Sequence, residues 1–241
     1  MPADTWTIAR HRLRTDLSSL VVLWLFLVAG VAVMITLLFA AFGDLASSVW
    51  EQASEFARWF AGAMGIYVTG VYLPLYIAHG RTRREVARQL PIVAVLYTAA
   101  FAALLTLGYG IERLVYHLGG WPQALADPHL YDHAGQYHLV FIEFWLLLVV
   151  WFVGGMMLGG GFYRSTTLGL SLIVPAVAVI IVVDRVLGPG SVGPFPQELL
   201  AWLPLPAPSL VTAVVVCLAT TVLLGAGTWR LIRDLPLRTG T

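Results

Sequence analysis

The sequence predicts an all-α, polytopic membrane protein with six transmembrane helices, an N-terminal interfacial helix and a short external re-entrant segment between helices 5 and 6. Three observations predict it. Six apolar runs punctuate the chain, at 20–42, 59–78, 91–110, 139–162, 168–187 and 209–229. A run of about 20 residues crosses a hydrocarbon core of about 30 Å at 1.5 Å rise per residue. The composition agrees: 59% of the 241 residues are hydrophobic and the mean hydropathy is +0.83, outside the range of soluble domains. Third, all 14 Lys+Arg positions are arginine, and 11 of them fall on alternate gaps between the runs. One set of gaps carries Arg10, Arg12, Arg14, Arg81, Arg83, Arg84, Arg88, Arg164, Arg230, Arg233 and Arg238. The other holds Arg58, Arg113 and Arg185 among Asp44, Glu51, Glu55, Glu112, Asp127, Asp132, Asp184 and Glu198. By the positive-inside rule this 11 to 3 asymmetry places both termini in the cytoplasm.

No gap is long enough for a soluble domain, which needs about 50 residues, so residues 1–241 read as a single transmembrane domain. The first run stays uncharged from Leu20 to Phe42. That is longer than the roughly 7–15 residues of a signal h-region, and it reads as a retained span. The lone Cys217 lies mid-span, which excludes an intrachain disulfide. The absence of lysine excludes a lysine Schiff base and the phosphate-binding lysine of a Walker A loop. Arginine at the expense of lysine suits a bacterial, GC-rich genome, and the expected location is the plasma membrane.

Residues 5–19 place Trp6, Leu13 and Leu17 near one helical face among Arg10, Arg12 and Arg14. A basic segment with an aromatic anchor reads as an interfacial helix; a disordered basic tail is the alternative. The second span carries Gly62, Gly65, Thr69 and Gly70 among Tyr67, Tyr72 and Tyr76, small residues that permit close helix approach and hydroxyls that need partners in lipid. Pro74 is expected to kink it near its cytoplasmic end.

The segment 79–91, HGRTRREVARQLP, is the most specific stretch. Gly80 can end the preceding helix, and Thr82 with Glu85 fits a capping box. Val86 and Leu90 share a face, and Arg84 and Arg88 form a basic row at i, i+4. With Pro91 as punctuation, the pattern predicts a two-turn amphipathic helix lying across the membrane at the cytoplasmic surface; a basic stop-transfer loop is the alternative.

The external loop that follows contains His117, His129, His133 and His138 with Asp127 and Asp132. On a helix His129 and His133 would face one way and could share a metal. Pro128 beside Asp127 instead marks a turn, and no H-E-x-x-H pattern is present. These read as solvated side chains, and no metal site is assigned. Glu143 enters the fourth span just below its external end, an intramembrane carboxylate and thus a functional-site candidate. Snorkelling to the interface or pairing with His138 or Arg113 is the expected resolution. Gly155 and Gly159 form a GxxxG within the same span, which favours tight crossing. The fifth span carries Ser171 and Pro175. Residues 188–208 are rich in proline yet apolar from Leu199 to Leu205, too short to cross and too apolar for water. They predict a short segment dipping into the outer leaflet.

Together the basic N-terminal helix, the six spans, the G-R-T-R-R-E stretch and the apolar segment between spans five and six resemble the permease subunit of an ABC transporter of the type-2 exporter (ABC-2) family. The resemblance covers nearly the whole chain. It implies a transporter subunit and not an enzyme, with ATP and Mg bound by a separate ATPase partner and no cofactor in this chain. It implies a second permease chain, as homodimer or heterodimer, in a membrane-lipid environment with no nucleic-acid partner. It makes Gly80, Arg81, Thr82, Arg83, Arg84, Glu85, Val86 and Arg88 the ATPase-coupling residues. It implies that spans one, two and five line a cargo pathway, with Tyr67, Thr69, Tyr72 and Ser171 as candidates, and that the cargo is an exported lipid, peptide or drug-like molecule. Two readings compete with it: a metal-dependent membrane enzyme using the external His/Asp loop, and a non-transporting accessory or immunity-type membrane protein.

Overall fold

In the computed structural model, residues 7–43, 47–188 and 209–233 are described, and every regular element among them is helical. In chain order these are α1 (Thr7–Phe42), α2 (Val49–Tyr67), a π-helical turn (Val68–Tyr72), α3 (Leu73–Ala78), α4 (Arg83–Gly119), α5 (Tyr137–Arg164), α6 (Thr166–Leu187) and α7 (Leu210–Arg233). Counting α2, the π turn and α3 as one unit, six helices among the described residues are long and apolar enough to cross a membrane. The expected re-entrant segment at 188–208 lies almost wholly outside the described residues.

The bundle is organised around α5. Its sequence is apolar on every face, the pattern of a helix surrounded by others. In its most apolar stretch 78% of residues are buried, against 11–39% in the other five spans. Helices α2, α4, α6 and α7 all pack on it, while α1 leans mainly on α4.

The contact of α2 with α5 is made backbone to backbone. A Cβ on Gly155 would lie 2.0 Å from the Gly62 carbonyl oxygen, and one on Gly65 would lie 2.0 Å from that of Phe152. Glycine at these positions is what lets the two axes approach. Thr69 then donates its hydroxyl across the crossing to the Met156 carbonyl at 2.8 Å.

Three sequence expectations change at this level. Residues 7–19 continue the helix of the first span without a break, so α1 is one element of 36 residues. The kink expected at Pro74 takes the form of the π turn just before it, where the Leu73 N–H bonds the Val68 carbonyl. The wider turn fits ahead of a residue that has no N–H to give. The two-turn helix expected at 82–90 is not separate. Those residues form the first turns of α4, which runs through Pro91 to Gly119. The capping signals were correctly placed, but proline inside a membrane helix is tolerated because neighbouring helices hold the segment.

Candidate functional site

Two polar regions stand at opposite ends of the bundle. At the arginine-rich end, Gly80 takes φ +83° and closes α3, a left-handed conformation that glycine adopts without penalty. Thr82 is the N-cap of α4, accepting from the Glu85 N–H at 3.2 Å. Glu85 in turn accepts from Arg81 at 2.6 Å. Val86 and Leu90 are buried, whereas Arg84 and Arg88 are exposed. Neither arginine has a hydrogen-bond or ion-pair partner among the described residues. Arg83 reaches the Arg233 carbonyl at the end of α7, 3.5 Å away. The amphipathic face read from the sequence is therefore present, on α4.

The four residues expected along a cargo pathway do not share one environment. Thr69 is fully buried against α5, its hydroxyl committed there. Tyr67 is exposed and meets Tyr72 edge to face, ring centroids 4.6 Å apart. Ser171 is exposed on α6 and donates to the Leu168 carbonyl of its own helix.

At the other end, residues 120–136 fold down onto the bundle and are held by carboxylates from three helices. Glu112 of α4 accepts from the Ser48 hydroxyl at 2.6 Å, the Trp50 N–H at 2.7 Å and the Gln123 amide at 2.7 Å. Glu51 of α2 accepts from the N–H groups of Ala126 and Asp127, at 2.8 and 2.9 Å. Glu143 of α5 accepts from the Leu130 N–H at 2.7 Å. His129 completes the arrangement: its Nδ1 lies 2.7 Å from Glu143 and its Nε2 lies 3.1 Å from Glu51.

An imidazole with a carboxylate on each nitrogen fits the doubly protonated cation, which donates from both. Burial alone would depress the His129 pKa, but the hydrogen bonds to Glu143 and Glu51 outweigh it and push it up to about 9. The ring stacks on Tyr131 at 4.5 Å, whose phenol burial drives upward in pKa. Two helical turns along α2 from Glu51, Arg58 bonds Asp184 of α6 at 3.0 Å and also pairs with Glu55.

This end corrects two expectations. Glu143 pairs with His129 and not with His138 or Arg113, and both His138 and His133 are exposed. Residues 129–133 are not helical, so His129 and His133 do not share a face. Among the described residues no group of three or more His, Cys, Asp or Glu side chains is placed to hold a metal. The pairing of His129 with Glu51 and Glu143 was missed because the loop has no periodicity. The available signal was a set of carboxylates at the ends of apolar runs, costly unless partnered.

Comparison of the chain with family models, with curated proteins and with solved structures returns no match.

Proposed function

We propose that this chain is the permease subunit of an ABC transporter that moves an amphipathic or hydrophobic cargo, with ATP hydrolysed by a separate partner chain. The observation that carries the reading is the turn at the arginine-rich end. It joins the π-interrupted second span directly to an exposed, unpaired Arg84/Arg88 row on α4. Such a row offers an acidic partner surface two charges on a rigid helical base. A push delivered there would reach α4 and, through the Gly80 turn, α3 and the π turn.

A second permease chain, identical or related, would cover apolar helix faces left open. The most apolar stretches of α1 and α6 are only 11% and 17% buried, the lowest with α7 in the bundle. Long apolar spans suit an amphipathic cargo better than an ion. The buried Glu51–His129–Glu143 group acts in this reading as a fastener for the loop.

The test is affinity purification of the chain from its own host, followed by identification of the proteins that come with it. An ATPase subunit should co-purify with the wild type. Arg84→Glu with Arg88→Glu should lose that subunit while the chain stays in the membrane. Undiminished ATPase recovery with the double variant would remove the role assigned to this row.

A further inference from the structure

A long groove opens on the side of the bundle, its volume about 530 Å³, within the roughly 300–1,000 Å³ range of ligand clefts. Its walls are α4 and α7. Each packs on α5 but they barely touch each other, so Val149, Val153 and Met156 of α5 form the floor. On α4 the groove runs from Arg84 to Val95, and on α7 from Ile232 back to Thr221. At 1.5 Å per residue each wall is about 16 Å long. That is about half of a 30 Å hydrocarbon core, one leaflet.

The chemistry is graded along this length. Thr221 and Thr228 spend their hydroxyls on the carbonyls of Cys217 and Leu224 in their own helix. The rest of the channel is aliphatic apart from Trp229, until Arg84 and Arg88 at the mouth. Among the described residues no acidic side chain lines it and neither arginine has a partner. Trp229 stands on α7 near the mouth, 42% exposed, as aromatic residues do at headgroup level.

From this grading we infer that the groove is a binding site for an anionic lipid of the arginine-side leaflet. One acyl chain lies between α4 and α7, and the phosphate sits on Arg84 and Arg88. Charge complementarity selects the occupant. A zwitterionic lipid would fill the channel equally well but would gain less at its mouth. The inference shares Arg84 and Arg88 with the proposed function but is argued from the shape and lining of the groove, and its test contains no ATPase, so it can fail or hold independently of that reading.

The purified chain is reconstituted in phosphatidylcholine vesicles containing a minor fraction of dibrominated phosphatidylglycerol or dibrominated phosphatidylcholine. Bromine on the acyl chain quenches a tryptophan in contact with it. The Trp229 contribution is the difference between wild type and Trp229→Phe. Brominated phosphatidylglycerol should quench Trp229 at about tenfold lower mole fraction than brominated phosphatidylcholine. Arg84→Gln with Arg88→Gln should erase that preference. Gly225→Leu, whose added Cβ meets nothing within 4 Å, should fill the channel and weaken quenching by both lipids. Equal potency of the two lipids in wild type would overturn the site, as would a preference that survives the double substitution. Trp229 shielded from both lipids would equally overturn it, since another segment or a second copy would then occupy the channel.

Discussion

The two ends of this bundle solve opposite problems with charged residues. At the loop end, Glu51, Glu112, Glu143, Arg58 and Asp184 are all 5% exposed or less, and each has a named polar partner. At the arginine-rich end, Arg84 and Arg88 are exposed and unpaired among the described residues, and the ion pair of Arg81 with Glu85 is about 30% exposed. The first arrangement holds a loop in one position. The second leaves two exposed charges unpaired among the described residues. Buried charge removed from its partner is expensive, whereas exposed charge is nearly free to change, and that difference makes the contrast measurable.

The largest effect should come from Glu143→Ala, which leaves His129 Nδ1 and the Leu130 N–H without their acceptor and His129 with Glu51 alone. Breaking a buried pair typically costs about 3–5 kcal/mol, and the midpoint of thermal unfolding in detergent should fall steeply. A fall no greater than that of a surface variant would dissolve the contrast. A titration sharpens it further. The folded His129 pKa, about 9, lies above the ordinary value near 6.5. Its contribution to stability is therefore fully present below pH about 6.5 and lost as pH rises through about 9. Unfolding midpoints should decline over that interval in wild type, and His129→Gln should flatten the decline.

Smaller effects belong to the arginine-rich end. Gly80→Ala forces a left-handed conformation where no neighbour crowds the new Cβ, so the cost is conformational alone, about 1–2 kcal/mol. Glu85→Ala removes the half-open ion pair with Arg81 and should cost at most about 1 kcal/mol. Both are read from the same melts, and a cost for Glu85→Ala equal to that of Glu143→Ala would mean the two ends are built alike.

The sequence carried the spans well because the bilayer imposes length and apolarity on each crossing. It also carried Gly80, Thr82 and Glu85, because capping depends on neighbours within a few residues. Pro91 misled because its local effect is strong in water, while in the bundle Leu90 and Val93 are buried and carry α4 past it, with Pro91 itself facing the groove. The Glu51–His129–Glu143 group was least legible. Its members are joined across 78 and 14 residues, and only the folded loop brings them together. The groove was equally hidden, since it exists because α4 and α7 diverge over α5, and no single helix encodes that divergence.

The π turn at Val68–Tyr72 has a geometric consequence. It inserts one residue beyond the ordinary helical count, so everything after it is rotated by about 100° relative to an uninterrupted helix. Deleting Val71 would restore the regular count and swing α3, with the corner at Gly80, to a different compass bearing around the central helix. The surplus residue is thus a phase setting, and it decides which way the arginines of the next helix look.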